Sequence, residues 1–164
     1  MHELKVLGVA DLGLLGHHLD SEAAGGAATR VGHRHRPVPP RAHGWLGGDA
    51  TLSRIGSLDW ATQKYVVADA GPYLDALKAA PGVSWEGEGE IIAVAELLCL
   101  IVLAAERASE WFQMITPYVT DNANVSRWIR RRRAKNAVAR HLLRILSMLE
   151  YRYKFRVIDA LYLR

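Results

Sequence analysis

Cysteine is almost missing from this sequence, with one thiol, Cys99, in 164 residues. A lone cysteine closes no intramolecular disulfide, so a stapled secreted scaffold is excluded and an intracellular, cytoplasmic or nuclear, setting is expected. Long apolar runs are missing too. The longest, Ile91 to Ala105, carries Glu96 inside it and falls short of the roughly 20 residues that span a bilayer, which predicts a buried helix and no membrane partner. The N-terminus, MHELKVLGVADLGLLG, lacks the basic start and small-residue cleavage site of a signal peptide, so export is not expected. Aromatic residues are few, at 8 %, yet half of all residues are apolar, enough to build one domain with a substantial core.

Charge is present but unevenly spread. The net +4 conceals a segment from 122 to 164 in which twelve Lys or Arg face two carboxylates, a net of +10. Residues 59 to 121 carry ten carboxylates and three cations, a net of −7. One natural use of such a split is a nucleic acid held on the basic part with metal ions in the acidic part. The plainer reading of the basic part is a solvated helix face.

Residues 1 to 58 hold ten of the fourteen glycines, six of the seven histidines and the stretch HRHRPVPPRAHG, without sustained periodicity after the first sixteen residues. This composition predicts a low-complexity or disordered region, loop over 17 to 50, with a short helix only at its start. A folded domain is expected over 59 to 164. Lys64 to Asp69 (KYVVAD) reads as a buried strand stopped by Ala-Gly-Pro, and Tyr73 to Lys78 and Gly82 to Trp85 as two more strands. Ile92 to Trp111 is a long helix, apolar on more than one side, and Ile115 to Thr120 is a strand. Asp121 or Asn122 caps a helix to about Arg133, a second helix runs from Ala134 to Tyr151, and Phe155 to Leu163 closes as a strand. The fold class expected is α/β, a mixed sheet covered by helices in the order β-β-β-α-β-α-α-β.

Three carboxylates stand out. Asp69 ends the first of these strands, Asp121 ends the fourth, and Glu96 lies early in the helix between them. If the first and fourth strands are neighbours, both aspartates emerge at carboxyl ends, where ligands of open α/β sheets bind. An Asp after a strand is also a common turn former or helix cap. Glu96 is harder to explain that way, because a carboxylate amid Ala93, Val94, Ala95, Leu97 and Leu98 is costly to bury unpaired. Gathered carboxylates suit hard cations such as Mg²⁺ or Mn²⁺, and two such ions are common apparatus for phosphodiester hydrolysis.

The segments VVADAGP, IAVAELLCLIVLAAE and YVTDNANVSRWI, in that order, resemble the ribonuclease H domain of retroelement reverse transcriptases, and FRVIDALYLR resembles its last sheet strand. In that family the first strand ends in an Asp-Ala-Ser type motif, the long helix carries Glu before two leucines, and the fourth strand ends in Thr-Asp-Asn or Thr-Asp-Ser. The resemblance implies a five-stranded ribonuclease H-like sheet and Asp69, Glu96 and Asp121 as catalytic, metal-binding residues for two ions. It further implies cleavage of the RNA strand of an RNA:DNA hybrid, with a polymerase domain of the same polyprotein as a partner. Arg127, Arg130, Arg131, Arg132, Arg133 and Lys135 would grip phosphates without reading sequence.

Two departures from the family follow. A fourth carboxylate, usual in an Asn-x-x-Ala-Asp type motif beyond the last strand, is not reached before Arg164, which implies a C-terminally truncated copy. The glycines usual in the second strand are also replaced by Leu74 and Asp75. The alternative expectation is therefore a catalytically inactive, nucleic-acid-binding remnant of the fold, and a third is an unrelated basic adaptor. RWIRRRRAK also has a superficial likeness to a homeodomain recognition helix, but Arg131 stands where the base-reading Asn belongs. His17, His18, His33, His35 and His43 lack the spacing and companion cysteines of a metal cluster. Cys99, Trp111, Trp128 and His141 read as packing residues.

Overall fold

The computed structural model describes residues 41–42, 44–79 and 82–162. The readings made of residues 1 to 40 and of His43 lie outside these. Within the described residues the chain forms a mixed α/β unit from Arg41 onward. Its strands are β1 (Arg41–Ala42), β2 (Leu46–Ala50), β3 (Arg54–Asp59), β4 (Lys64–Asp69), β5 (Met114–Thr120) and β6 (Arg156–Tyr162). Its helices are α1 (Gly71–Lys78), α2 (Glu88–Arg107) with a 3-10 turn at Ala108–Trp111, α3 (Ala123–Arg131) and α4 (Ala137–Tyr153).

β2, β3 and β4 form an antiparallel meander, and β2 and β6 each pair β5 in parallel. β1 also pairs β5, at Met114 and Ile115, while β2 pairs it at Tyr118 and Val119. Because β6 occupies the other edge of β5 over most of its length, β1 and β2 lie end to end on one side. The sheet thus has five positions across, β6-β5-β2-β3-β4, with β1 extending the β2 position.

Three expectations change here. The domain boundary at 58/59 is wrong, because β2 and β3 fall in the supposed low-complexity segment and lie between β4 and β5. Tyr73 to Lys78 is helix α1, not a strand: Pro72 occupies its first turn, where a missing N–H costs nothing, and Tyr73 and Leu74 are buried. Gly82 to Trp85 forms no strand. The elements from 88 onward agree with expectation to within a few residues at their ends.

Helix α2 is buried almost all round from Ala93 to Ala104 and packs on β2, β3 and α4, which explains its apolar circumference. Glu88 and Glu90 in its first turn and Arg107 in its last complement the helix dipole. Asn122 and Asn136 cap α3 and α4, each side chain accepting two backbone N–H bonds. α3 packs on β6, and α4 packs on α2. Strand alternation then divides the sheet. Leu46, Ile55, Val66, Tyr118 and Val157 point into the core, while Tyr65, Val67 and Ile158 are exposed on the other face. No helix among the described residues is long and apolar enough to cross a membrane.

Candidate metal centre

Strands β2 and β5 run parallel as neighbours, so the residues at their carboxyl ends emerge together. Asp49 is the penultimate residue of β2, and Asp121 follows the last residue of β5. Helix α2 crosses the sheet and brings Glu96 to the same place. One carboxylate oxygen from each of Asp49, Glu96 and Asp121 lies within 4.8 Å of the others. Asp49 and Asp121 are exposed, and Glu96 is only 4 % exposed.

Glu96 is held at both oxygens. Thr120 donates its hydroxyl to Oε2 at 2.9 Å, and the Asn122 Nδ2 donates to Oε1 at 3.0 Å. Asn122 serves twice, since its Oδ1 accepts from Asn124 and Val125 at the start of α3. Burial pushes the Glu96 carboxyl above its ordinary value, the two hydrogen bonds oppose that rise, and the nearby charges of Asp121 and Asp49 add to it. Among the described residues no cation pairs with Asp49, Glu96 or Asp121, and the atoms they offer around the desolvated carboxylate are oxygens. That donor chemistry fits a metal cation.

The sequence expectation named Glu96 and Asp121, which the structure brings together, and Asp69, which it does not. Asp69 is at the correct end of the sheet on the wrong strand. Among the described residues β4 pairs only with β3, so three strand spacings, about 14 Å, separate it from β5. Its carboxylate instead accepts the Gly71 N–H at 2.9 Å, opening α1. Asp49 takes its place, and two cues in the sequence pointed there. Asp49-Ala50-Thr51 resembles the Asp-Ala-Ser type motif sought at Asp69, and Gly56 stands in the following strand where a glycine was expected.

Asp49 sits where it does because β2 contains two glycines with no room for side chains. A Cβ on Gly48 would lie 2.7 Å from the Cβ of Cys99 and against the Tyr118 hydroxyl, and one on Gly47 would lie 2.7 Å from the Trp60 indole. Gly48 thus lets the strand press onto α2, and the Cys99 thiol donates to the Asp49 carbonyl at 3.2 Å. Burial pushes that thiol up to about 12, which leaves it a protonated core residue, as expected from sequence. Beside the carboxylates a groove of about 450 Å³ crosses the sheet, lined by Gly47, Trp60, Tyr65, Val67 and Val119 together with Asp49 and Asp121.

The basic stretch RWIRRRRAK is not one surface. Arg132, the left-handed C-cap of α3, turns inward: its Nη2 lies 2.5 Å from Glu150 Oε1 and donates to the Val157 carbonyl at 2.7 Å. Its expected role in gripping phosphate is corrected accordingly, because the guanidinium is spent joining α3, α4 and β6. Arg127, Arg131, Arg133 and Lys135 remain exposed and line one cleft, while Arg130 is exposed outside it. Compared with known proteins, the chain matches no protein-family model, and no curated protein matches it.

Proposed function

We propose that this chain is a ribonuclease H-like domain of a retroelement reverse transcriptase, a metal-dependent endonuclease acting on the RNA strand of RNA:DNA hybrids. The observation that carries the reading is the convergence of Asp49, Glu96 and Asp121 from two parallel strand ends and a crossing helix. The likeness of the IAVAELLCLIVLAAE and YVTDNANVSRWI segments to that family points the same way.

In this reading Asp49, Glu96 and Asp121 hold Mg²⁺ or Mn²⁺. When bound, such ions supply an activated water and stabilise the leaving oxygen of a phosphodiester. The chain's own contribution is placement. Thr120 and Asn122 fix both oxygens of Glu96, so the buried carboxylate meets a cation without rearranging. Asp49 and Asp121 are exposed beside a groove whose apolar wall can take a sugar and base. Arg127, Arg131, Arg133 and Lys135 supply sequence-independent attraction for the backbone.

The test is cleavage of an end-labelled RNA:DNA hybrid in Mg²⁺ or Mn²⁺. We expect the wild-type chain to cut the RNA strand, Asp49→Asn and Asp121→Asn each to abolish cutting, and Asp69→Asn to leave it unchanged. Loss of activity on Asp69→Asn with retention on Asp49→Asn would overturn the ligand assignment. Salt-dependent binding of the hybrid without any cutting would leave the chain a nucleic-acid-binding remnant.

A further inference from the structure

β4 forms one side of the sheet, and among the described residues no strand pairs with its outer edge. The pairing of β3 with β4 continues to Ser53 and Ala70, where the Ala70 N–H donates to the Ser53 carbonyl at 2.8 Å. Hydrogen-bonded and non-hydrogen-bonded positions alternate along an antiparallel pair. Lys64, Val66 and Ala68 therefore spend their backbone groups on β3, while Tyr65, Val67 and Asp69 turn N–H and C=O to the outer edge. No loop backbone group among the described residues meets them there.

Sheets commonly blunt such an edge with proline, a bulge or a charge within the strand. β4 has none of these: its register with β3 is unbroken, and its interior, Tyr65-Val66-Val67-Ala68, is uncharged. β6, at the opposite edge, contains Arg156 and Asp159 and has a register shift against β5 between Pro117 and Val119. Tyr65 is 65 % exposed and Val67 53 %. The residues with outward backbone groups thus also present uncovered apolar side chains.

We infer that β4 is a self-association edge, which pairs antiparallel with β4 of a second copy about a two-fold axis at Val67. The proposal is independent of the hydrolase reading. The register follows from the strand itself. With Val67 opposite the partner's Val67, Tyr65 lies opposite the partner's Asp69, and every outward backbone group of both strands is used. A slide of two residues one way sets Asp69 against the partner's Gln63, whose φ of 54° takes it out of the strand. The other way sets Tyr65 against the partner's Gly71, which begins α1. Charge agrees with the pairing, because Lys64 opens β4 and Asp69 closes it. Opposite charges therefore adjoin at both ends of the antiparallel pair, and none meets in its middle. A contact this narrow belongs with interfaces under about 1,200 Å², so association is expected in the micromolar range.

The test is sedimentation velocity of the full chain over a range of concentrations, without nucleic acid. We expect a monomer–dimer equilibrium for wild type. Val67→Lys sets two ammonium groups face to face on the axis and should weaken the dimer by about tenfold or more. Register is read by cross-linking under mild oxidation. Val67→Cys should form a disulfide dimer, since paired Cα atoms about 5.5 Å apart suit the bond. Tyr65→Cys, exposed on the same edge, lies four positions from its own copy, about 13 Å along the strand, and should not. The native Cys99 is buried and does not compete. A chain that stays monomeric up to about 1 mM overturns the inference and leaves the edge to a strand of another protein. It is overturned equally if Val67→Lys, melting like wild type, dimerises as tightly, or if Tyr65→Cys cross-links as well as Val67→Cys.

Discussion

Glu96 carries its carboxyl group in the most apolar of the described helices, fixed by Thr120 and Asn122 and pressed by the charges of Asp49 and Asp121. Its raised pKa has a signed consequence for stability. The native state holds the Glu96 proton more tightly than the unfolded chain does, so this contribution is fully present below the ordinary value of 4.5. It is lost as pH rises from there through the raised native value. In EDTA, urea denaturation of wild type should therefore show a fall in stability over that window which Glu96→Gln lacks; equal pH slopes for the two proteins would rule the argument out. A bound cation reverses the preference. Above the window, Mg²⁺ at about a hundred times its Kd should stabilise wild type by about 2.7 kcal/mol and Glu96→Gln by less. Glu96 was legible in the sequence for the same reason that it is tense in the fold: a charge inside an apolar run needs a partner. Asp49 was not. It stands between Gly48 and Ala50 in a strand with two glycines, so its cues were the Asp-Ala-Thr triplet and Gly56 alone, without the large β-branched or aromatic run that marks a strand.

At the scale of elements, the helices and later strands could be read because caps and periodicity agree there. Asn122 and Asn136 mark their helix starts in sequence and in structure alike. The segment LGGDA could not be read, because strand preference rests on side chains that fit a pleated, half-buried surface and two of its five residues have none. Gly48 lets β2 lie close under Cys99 and Tyr118, and Gly47 leaves room for the Trp60 indole. Gly48→Ala is accordingly expected to cost about 1 to 3 kcal/mol by overpacking, read as a lower urea midpoint with an unchanged slope. It should also weaken the metal response expected at Glu96, because a β2 moved away from α2 carries Asp49 with it. An unaltered midpoint would mean that the strand is not pressed against the helix. The basic stretch teaches a related lesson. Composition counts Arg132 with its neighbours, but the left-handed backbone at that residue turns its guanidinium to Glu150 and away from the surface.

For the whole molecule, sheet order decides which carboxylates meet. Neighbours in sequence, β3 and β4, carry the chain away from β5, and the long helix α2 returns it to the far side of β2. Asp69 and Asp121 are therefore at one end of the sheet but three positions apart, a separation that local pattern cannot reveal. The same order fixes what can fold alone. A fragment of residues 59 to 164 keeps β4, β5, β6 and every described helix yet omits β2 and β3, the strands that join β4 to β5 and cover α2. Without them Leu46 and Ile55 are gone from the core, β4 has no partner, and one edge of β5 and much of the apolar circumference of α2 face water. Exposure on that scale exceeds a typical net stability of about 5 to 15 kcal/mol. The fragment 59–164 should therefore show no cooperative melt and should aggregate, while 41–164 should melt cooperatively and keep its Mg²⁺-dependent stabilisation. A cooperative melt for 59–164 would mean that the sheet closes without its centre.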